Sequence, residues 1–230
     1  MTDEVSVQIP NDDGVMPAHL WSGLPEAPTI VLFQEIFGVS DYIKQRAADL
    51  HDLGYTVVAP EIYWRLENSA VDETREDFLQ QAMGVAGRLD WDRAVADGAT
   101  AVEFARLSSK QVGVMGFCFG GGVAFAVAAR ANPDALVSYY GSAIPGLLAL
   151  APEVTAPSLH IFGEADSYIP METVEEIRAA VSQHPEVEFR TYPGADHAFD
   201  NPRPGFHHPE ASAAAWQRTV AFLSRTLPVR

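Results

Sequence analysis

The stretch GFCFGGG, from Gly116 to Gly122, is the most informative part of this sequence. The run before it is apolar and predicts a buried strand, and the alanine-rich run after it predicts a helix. A strand-to-helix turn of the form Gly-x-Cys-x-Gly has the pattern of a nucleophile elbow, with cysteine where serine usually stands. Glycines let strand and helix approach closely, and the N-terminal end of a helix favours a thiolate. The stretch therefore predicts a nucleophilic Cys118 held in strained backbone geometry.

Apolar, β-branched runs alternate with helical patterns along the rest of the chain. The predicted strands cover residues 5–9, 29–34, 56–60, 111–117, 135–140, 158–163 and 187–192. The predicted helices cover residues 41–53, 91–107, 121–131, 171–184 and 209–226. Because continuously apolar strands separated by helices form parallel sheets, the sequence predicts an α/β fold with a mostly parallel central sheet and helices on both faces. A charged region at about 61–90 predicts a helical excursion. No linker-like segment divides the chain, so residues 1–230 are expected to form a single domain.

Composition limits the classes of partner. Hydrophobic residues make up 47% of the chain and charged residues 20%, which is typical of a globular protein. The net charge of -16 argues against nucleic-acid binding, which needs clustered Lys and Arg. The acidic start of the chain has no signal-peptide pattern, and no apolar run reaches the length of a membrane span. The expected partner is a small molecule, with no nucleic acid and no membrane, and the expected location is cytoplasmic.

Two later strands end in residues that could activate Cys118. His197 follows strand 187–192 and a Gly-Ala-Asp turn, while Glu164 and Asp166 follow strand 158–163. Functional residues of parallel sheets sit at these carboxyl ends. The chain order nucleophile, acid, histidine is that of the α/β-hydrolase fold, which we therefore predict. Asp166 is favoured over Glu164 as the acid because it lies further into the loop. The alternative for Cys118 is an inert core cysteine.

A charged residue also ends the strand at residues 29–34. Glu35 lies in the motif QEIFG at the end of a buried strand. Because charged residues are rarely buried, a carboxylate at this place indicates a functional role; the alternative is a purely structural role. In α/β-hydrolases this loop provides one oxyanion-hole N–H and the residue after the nucleophile provides the other. Here those backbone donors would be Ile36 and Phe119.

The sequence lacks the common cofactor and metal motifs. It contains no P-loop, no dinucleotide fingerprint, no H-E-x-x-H and no serine elbow. With one cysteine, the chain cannot form an internal disulfide or a Cys-rich zinc site. The adjacent His207 and His208 are not accompanied by further metal-ligating residues at the spacing of a metal-site motif. We therefore expect neither a cofactor nor a metal.

Taken together, these motifs resemble the dienelactone hydrolase family over nearly the whole chain. The likeness rests on Gln34–Gly38, Pro60–Tyr63, Gly116–Gly121, Tyr139–Gly141, Gly163–Asp166 and Gly194–Phe199. The resemblance implies cofactor-independent hydrolysis of a lactone or carboxylic ester through a Cys-Asp-His triad. In that triad Cys118 is the nucleophile, His197 the base and then the acid, and Asp166 the orienting group. Glu35 matches the family glutamate that holds the resting thiol and helps to form the thiolate.

The resemblance also suggests substrate contacts. Tyr63 matches a pocket tyrosine, and Trp64, Tyr140 and Asn201 are predicted to contact substrate with it. Family members that act on dienelactone place an arginine where this chain has Asn201, and a second one at the position of Leu79. The nearby Arg75, Arg88 and Arg203 do not match these positions. The sequence therefore favours a neutral or larger ester over dienelactone.

Other functions remain open from the sequence. The chain could be a carboxylesterase or thioesterase on a different ester, or a ligand-binding scaffold without catalysis. Cys118 could also be a redox sensor, which would need an intermolecular disulfide because the chain has no second cysteine. The expected assembly is a monomer or a weak homodimer.

Overall fold

A computed structural model describes residues 4–229 of the chain. Eight strands are observed: β1 (Glu4–Asn11), β2 (Gly14–Trp21), β3 (Thr29–Phe33), β4 (Thr56–Pro60), β5 (Val112–Phe117), β6 (Ala135–Tyr139), β7 (Ser158–Gly163) and β8 (Val187–Tyr192). Six α-helices accompany them: α1 (Asp41–Asp52), α2 (Phe78–Ala86), α3 (Trp91–Arg106), α4 (Phe119–Ala131), α5 (Met171–Val181) and α6 (Pro209–Thr226). A 3-10 helix covers Ile144–Glu153. Within residues 4–229 no helix is long and apolar enough to cross a membrane.

All eight strands form one sheet in the order β1-β2-β4-β3-β5-β6-β7-β8. Strand β2 is antiparallel to both of its neighbours, and every other pairing is parallel. The chain moves in one direction from β3 to β4 and in the other from β5 onward, so the strand order reverses between β3 and β5. Ligands of open α/β sheets bind at such a reversal, at the carboxyl ends of the strands.

Helices cover both faces of the sheet. Helix α4 contacts α3 and the 3-10 helix, which in turn contacts α5, so these elements lie together. On the other face, the guanidinium of Arg46 in α1 lies 4.6 Å from the ring centroid of Trp216 in α6. Strands β3, β5, β6 and β7 are buried along their whole length, as expected for strands covered on two sides. The predicted sheet architecture is confirmed.

Strand β2 was not predicted from the sequence. Its sequence, GVMPAHLW, contains Pro17, and proline is unfavourable in a strand pattern. The strand nevertheless forms a hairpin with β1 in which Pro17 lies opposite Gln8. Met16, Ala18 and Trp21 point into the core, and their burial outweighs the missing N–H of the proline.

Several other predicted elements differ at their boundaries: α1 and α3 end one residue before the predicted ends, α5 ends three residues before it, and β1 extends beyond residues 5–9 at both ends. Helix α4 begins at Phe119, two residues before the predicted start at residue 121, so Cys118 is its N-cap. The excursion at residues 61–90 contains one helix, α2, and is otherwise made of turns. Its charged residues provide few apolar side chains to bury, which explains the short helical content.

Candidate active site

Cys118 stands at the sharp turn between β5 and α4. Its backbone has φ 53° and ψ -116°, a region that costs a non-glycine residue free energy. Surrounding hydrogen bonds hold it there. Its N–H donates to the carbonyl of Tyr139 at 3.0 Å, and its carbonyl accepts from the N–H groups of Gly121 and Ser142 at 3.0 and 3.1 Å. The strain predicted for the elbow is therefore present and is balanced by the sheet and helix on either side.

Two glycines make this turn possible. A Cβ atom at Gly116 would overlap the backbone of Gly120, and a Cβ at Gly120 would overlap the carbonyl of Gln34 at the end of β3. These contacts are with backbone atoms, which cannot move aside as a flexible side chain can. The glycines thus allow α4 to start directly against the carboxyl end of β3.

The structure brings Cys118, His197 and Asp166 into one hydrogen-bonded line. The Sγ of Cys118 lies 3.1 Å from Nε2 of His197. On the other side of the ring, Nδ1 lies 2.8 Å from Oδ2 of Asp166. The second oxygen of Asp166 accepts the N–H groups of Tyr168 and Ile169, each at 2.8 Å. A carboxylate held this way fixes the orientation of the imidazole.

Glu164, the competing acid, lies elsewhere. Its side chain is exposed and accepts a hydrogen bond from Oγ1 of Thr191 at 2.8 Å. The neighbour of His197, Asp196, binds backbone instead: its Oδ1 accepts the N–H groups of Ser167 and His197 at 2.8 and 2.7 Å. Asp196 thereby connects the loop that carries Asp166 to the loop that carries His197. No role for Asp196 was predicted from the sequence.

The imidazole of His197 is held in its charged form. Burial by itself would lower its pKa, but the hydrogen bonds with Asp166 and Cys118 outweigh burial and raise the pKa to about 10. The rings of Tyr140 and Tyr168 both lie next to the imidazole, with centroids 5.2 and 5.1 Å from its own. A positively charged imidazole at hydrogen-bond distance from Sγ is the kind of neighbour that a nucleophilic cysteine needs.

Glu35 is buried at the edge of the same cavity. Nδ2 of Asn201 donates to its Oε2 at 2.8 Å, while Oε1 has no hydrogen-bond partner within the described part of the chain. Glu35 therefore does not hold the thiol of Cys118 as the resemblance implied, since Sγ pairs with His197 instead. Burial raises the pKa of Glu35 to about 8, and the hydrogen bond from Asn201 offsets only part of that rise. Glu35 is therefore protonated at neutral pH. Asn201, predicted as a substrate contact, is buried and bonded to Glu35.

The two backbone donors predicted for the oxyanion hole belong to Phe119 and Ile36. Phe119 is the first residue of α4, and an N–H at that position has no acceptor inside the helix. Ile36 lines the same cavity as Cys118. The hydroxyl of Tyr63 donates to the carbonyl of Ile36 at 3.2 Å, which fixes the orientation of that peptide loop. Tyr63 itself is buried against Phe119, with ring centroids 5.9 Å apart.

None of the four residues predicted to contact substrate lines the cavity, and the contacts of Asn201 are described above. Tyr63 lies behind the Ile36 loop, as described. Tyr140 is buried beneath His197, and its hydroxyl lies 3.4 Å from that of Tyr42. The indole N–H of Trp64 donates to Oδ2 of Asp97 at 2.9 Å, away from Cys118. These side chains support the site from behind or lie outside it.

The cavity in front of Cys118 has a volume of about 340 Å³. It is lined by Glu35, Ile36, Phe37, Leu79, Met83, Cys118, Ser142, Ser167, Tyr168, Asp196, His197, Ala198, Gly205 and Phe206. Sequence reasoning missed Ser142, whose Oγ lies 3.9 Å from Sγ of Cys118, because a serine after a strand has no motif of its own. It also missed Tyr168, although that residue follows Asp166 by two positions. Among residues 4–229, no group of three or more His, Cys, Asp or Glu side chains is arranged to hold a metal ion.

The fold and the Cys-His-Asp line define a hydrolase of the α/β class with cysteine at the elbow. The sequence signature of the dienelactone hydrolase family matches residues 18–227. A proposed carboxymethylenebutenolidase of Azospirillum brasilense is 35% identical over 99% of this chain and 100% of its own length. The carboxymethylenebutenolidase of Pseudomonas putida is 33% identical over 86% of each chain. The crystal structure of a proposed dienelactone hydrolase from Klebsiella pneumoniae subsp. pneumoniae superposes with a TM-score of 0.85, 27% identity and coverage of 96% and 98%.

This chain belongs to the dienelactone hydrolase family. The resemblance seen in its motifs is thereby confirmed, as is the α/β-hydrolase fold. Membership makes the protein a hydrolase of the ester-bond class.

Glu35→Gln is expected to flatten the dependence of stability on pH between about pH 5 and 8. Because burial raises the pKa of Glu35 from 4.5 to about 8, the folded protein keeps a proton that the unfolded chain has released in this range. The contribution of protonated Glu35 to the free energy of unfolding is fully present below pH 4.5 and is lost as the pH rises through about 8. The change is on the order of a few kcal/mol. Urea unfolding of both proteins at several pH values measures the slope.

The matched control is Glu164→Gln, which changes an exposed glutamate beside the same site. It should leave the wild-type slope unaltered. The contribution of His197 to folding stability also falls as the pH rises, because its pKa is raised in the folded protein. All three proteins contain His197, so this contribution cancels when their slopes are compared. Equal slopes for wild type and Glu35→Gln would contradict a neutral Glu35.

Proposed function

We propose that this protein hydrolyses a lactone or carboxylic ester through a thioester formed on Cys118. The observation that carries the proposal is the alignment of Sγ, the imidazole of His197 and the carboxylate of Asp166, at 3.1 and 2.8 Å, in a cavity that the Ile36 loop also lines. A nucleophile, a base and an orienting acid in this geometry are the requirements for covalent acyl transfer.

In the first half of the reaction, the Cys118 thiolate attacks the carbonyl carbon. The carbonyl oxygen becomes an oxyanion and accepts hydrogen bonds from the backbone N–H groups of Ile36 and Phe119. The tetrahedral intermediate collapses with cleavage of the ester C–O bond. The imidazolium of His197 transfers its proton to the leaving alkoxide, which departs as the alcohol, and a thioester remains.

In the second half, water replaces the alcohol. Neutral His197 removes a proton from the water as the oxygen attacks the thioester carbonyl. The new tetrahedral intermediate collapses with cleavage of the C–S bond and releases the carboxylic acid. Cys118 leaves as the thiolate and pairs again with protonated His197. For a lactone, alcohol and acid stay in one molecule and depart together.

Glu35 contributes to this cycle through its charge state. A carboxylate beside the cavity would oppose a thiolate on Cys118 by like-charge repulsion. Burial raises the pKa of Glu35 to about 8 and so keeps it neutral when the thiolate forms. We infer that Asn201 positions Glu35, through the 2.8 Å hydrogen bond, rather than binding substrate.

A panel of substrates tests the proposal. The purified protein should turn over 4-nitrophenyl acetate and simple lactones many times per active site, with no added cofactor and in the presence of EDTA. Dienelactone belongs in the panel as the anionic member. A stoichiometric burst without turnover, or no reaction with any member, would contradict hydrolysis and favour a ligand-binding scaffold. The cytoplasmic location and the monomeric or weakly dimeric state stay predictions from the sequence.

A further inference from the structure

The cavity in front of Cys118 continues outward into a second hollow. This outer groove has a volume of about 560 Å³ and is lined by Glu76, Asp77, Leu79, Gln80, Met83 and Tyr168. Leu79, Met83 and Tyr168 line both the cavity and the groove, so the two spaces meet at these side chains. The cavity alone, at about 340 Å³, lies near the lower end of the range for small-molecule sites.

The shared wall of the groove is apolar although it faces solvent. Leu79 and Met83 are four residues apart in α2 and therefore lie on one face of that helix. Met83 is 56% exposed and Tyr168 is 63% exposed, and the two side chains line the same groove rather than standing singly on the surface. Exposed apolar side chains that adjoin a pocket mark a binding surface.

The charges around the two spaces are acidic. Glu76 and Asp77 line the outer groove and Asp196 lines the cavity, while the fourth acid, Glu35, is protonated at neutral pH and adds no charge. Among the described residues that line them there is no Lys or Arg, and His197 is committed to Cys118 and Asp166. An anionic substituent would meet repulsion here and find no cation.

The arginines near the groove are already bound. Arg75 pairs with Asp77, with Nε 2.8 Å from Oδ1. Arg203 pairs with Glu73 at 2.9 Å and places its guanidinium 3.8 Å from the ring centroid of Phe78. Arg88 donates to the backbone carbonyls of residues 67 and 68. None of these side chains is directed to an incoming carboxylate.

We propose that the outer groove is a substrate subsite that binds an uncharged, apolar substituent of the ester. The inference rests on the proposed hydrolysis at Cys118 and adds the class of substrate to it: neutral esters with an extended hydrocarbon or aryl group. Burying one methylene group contributes about fourfold to kcat/KM when burial is complete, and about twofold on a half-open surface such as this one.

Two homologous series test the subsite. One varies the acyl chain, as 4-nitrophenyl esters from acetate to octanoate, and the other varies the alcohol, as acetates from ethyl to octyl. In one of the series kcat/KM should rise at least about tenfold with chain length. A substrate of the responding series that ends in a carboxylate instead of a methyl group should be at least about tenfold poorer than its neutral counterpart.

Met83→Ser should lower the ratio of kcat/KM for the longest and shortest members at least about fivefold, because it removes apolar wall. Leu107→Ser is the matched control: Leu107 is 84% exposed and lines neither space, so the ratio should stay at its wild-type value. Glu76→Lys should improve the carboxylate-ended substrate relative to the neutral one, with Glu76→Gln between the two.

The outcomes separate this inference from the proposed function. Turnover of 4-nitrophenyl acetate with two flat series, or with equal rates for neutral and anionic members, would overturn the subsite and leave hydrolysis intact. A rise with chain length that Met83→Ser and Leu107→Ser reduce equally would also overturn it. Failure to hydrolyse any ester would contradict both the subsite and the proposed hydrolytic function.

Discussion

Cys118→Ala is expected to reduce kcat/KM for 4-nitrophenyl acetate by about 10⁴- to 10⁶-fold, the range found when a covalent nucleophile is removed from a triad. The alanine methyl group cannot attack a carbonyl, and the imidazole of His197, 3.1 Å from Sγ in the wild type, is left without its partner. Release of 4-nitrophenolate, followed by absorbance, measures the effect. Wild-type turnover in this variant would exclude the mechanism.

Cys118→Ser provides the companion measurement. A serine hydroxyl fits the elbow, but it is a far weaker acid than a thiol, and the site is arranged to stabilise a thiolate. We expect little activity in the serine variant, more than in the alanine variant and far below wild type. Thermal unfolding of all three proteins serves as the control for folding, since Cβ at position 118 keeps the same strained backbone in each.

Asp166→Asn is expected to lower kcat/KM by about 10³- to 10⁴-fold. Asparagine has nearly the same shape, and its carbonyl oxygen can still accept the N–H groups of Tyr168 and Ile169. Its amide, however, presents a donor to Nδ1 of His197 where the carboxylate accepted one. The imidazole must then carry its proton on Nε2, facing Sγ, and cannot take the proton of the thiol.

A spectroscopic readout separates this effect from a loss of structure. Because Asp166 helps to raise the pKa of His197, the asparagine variant should show a lower pKa for that imidazole in an NMR titration. Glu164→Gln, the exposed carboxylate two residues earlier, should leave both activity and titration at wild-type values. If Glu164→Gln caused the larger loss, the assignment of the orienting acid would be wrong.

The sheet could be predicted because its central strands are continuously apolar. Strands β4, β7 and β8 have the predicted bounds, and β3, β5 and β6 differ by one residue at one end. Strand β2 was missed because Pro17 breaks the pattern, and only the hairpin with β1 shows why the strand forms. Helix α4 starts earlier than predicted because its first turn contains glycines, which have a low helix propensity. Those glycines are required there by the close packing of the helix against the end of β3.

The Cys-His-Asp line was predictable because each member follows a strand, and the carboxyl ends of parallel strands meet at one edge of the sheet. The contacts around and behind the cavity could not be predicted in this way. Asn201 bonds to Glu35 across 166 positions of sequence, and no local pattern reports such a contact. The same holds for Tyr63, whose hydroxyl reaches the Ile36 carbonyl, and for Met83, whose position depends on how α2 lies over the site.

The most direct test of covalent catalysis at Cys118 is to trap the acyl-enzyme. A hindered ester such as 4-nitrophenyl trimethylacetate slows the attack of water, and rapid acid quenching followed by intact-mass measurement and peptide mapping locates the acyl group. We predict one acyl group per chain, on the peptide containing Cys118, that forms with the burst of 4-nitrophenolate and decays at the rate of turnover. Steady turnover with no acyl group on that peptide, or with the group on another residue, would contradict the account.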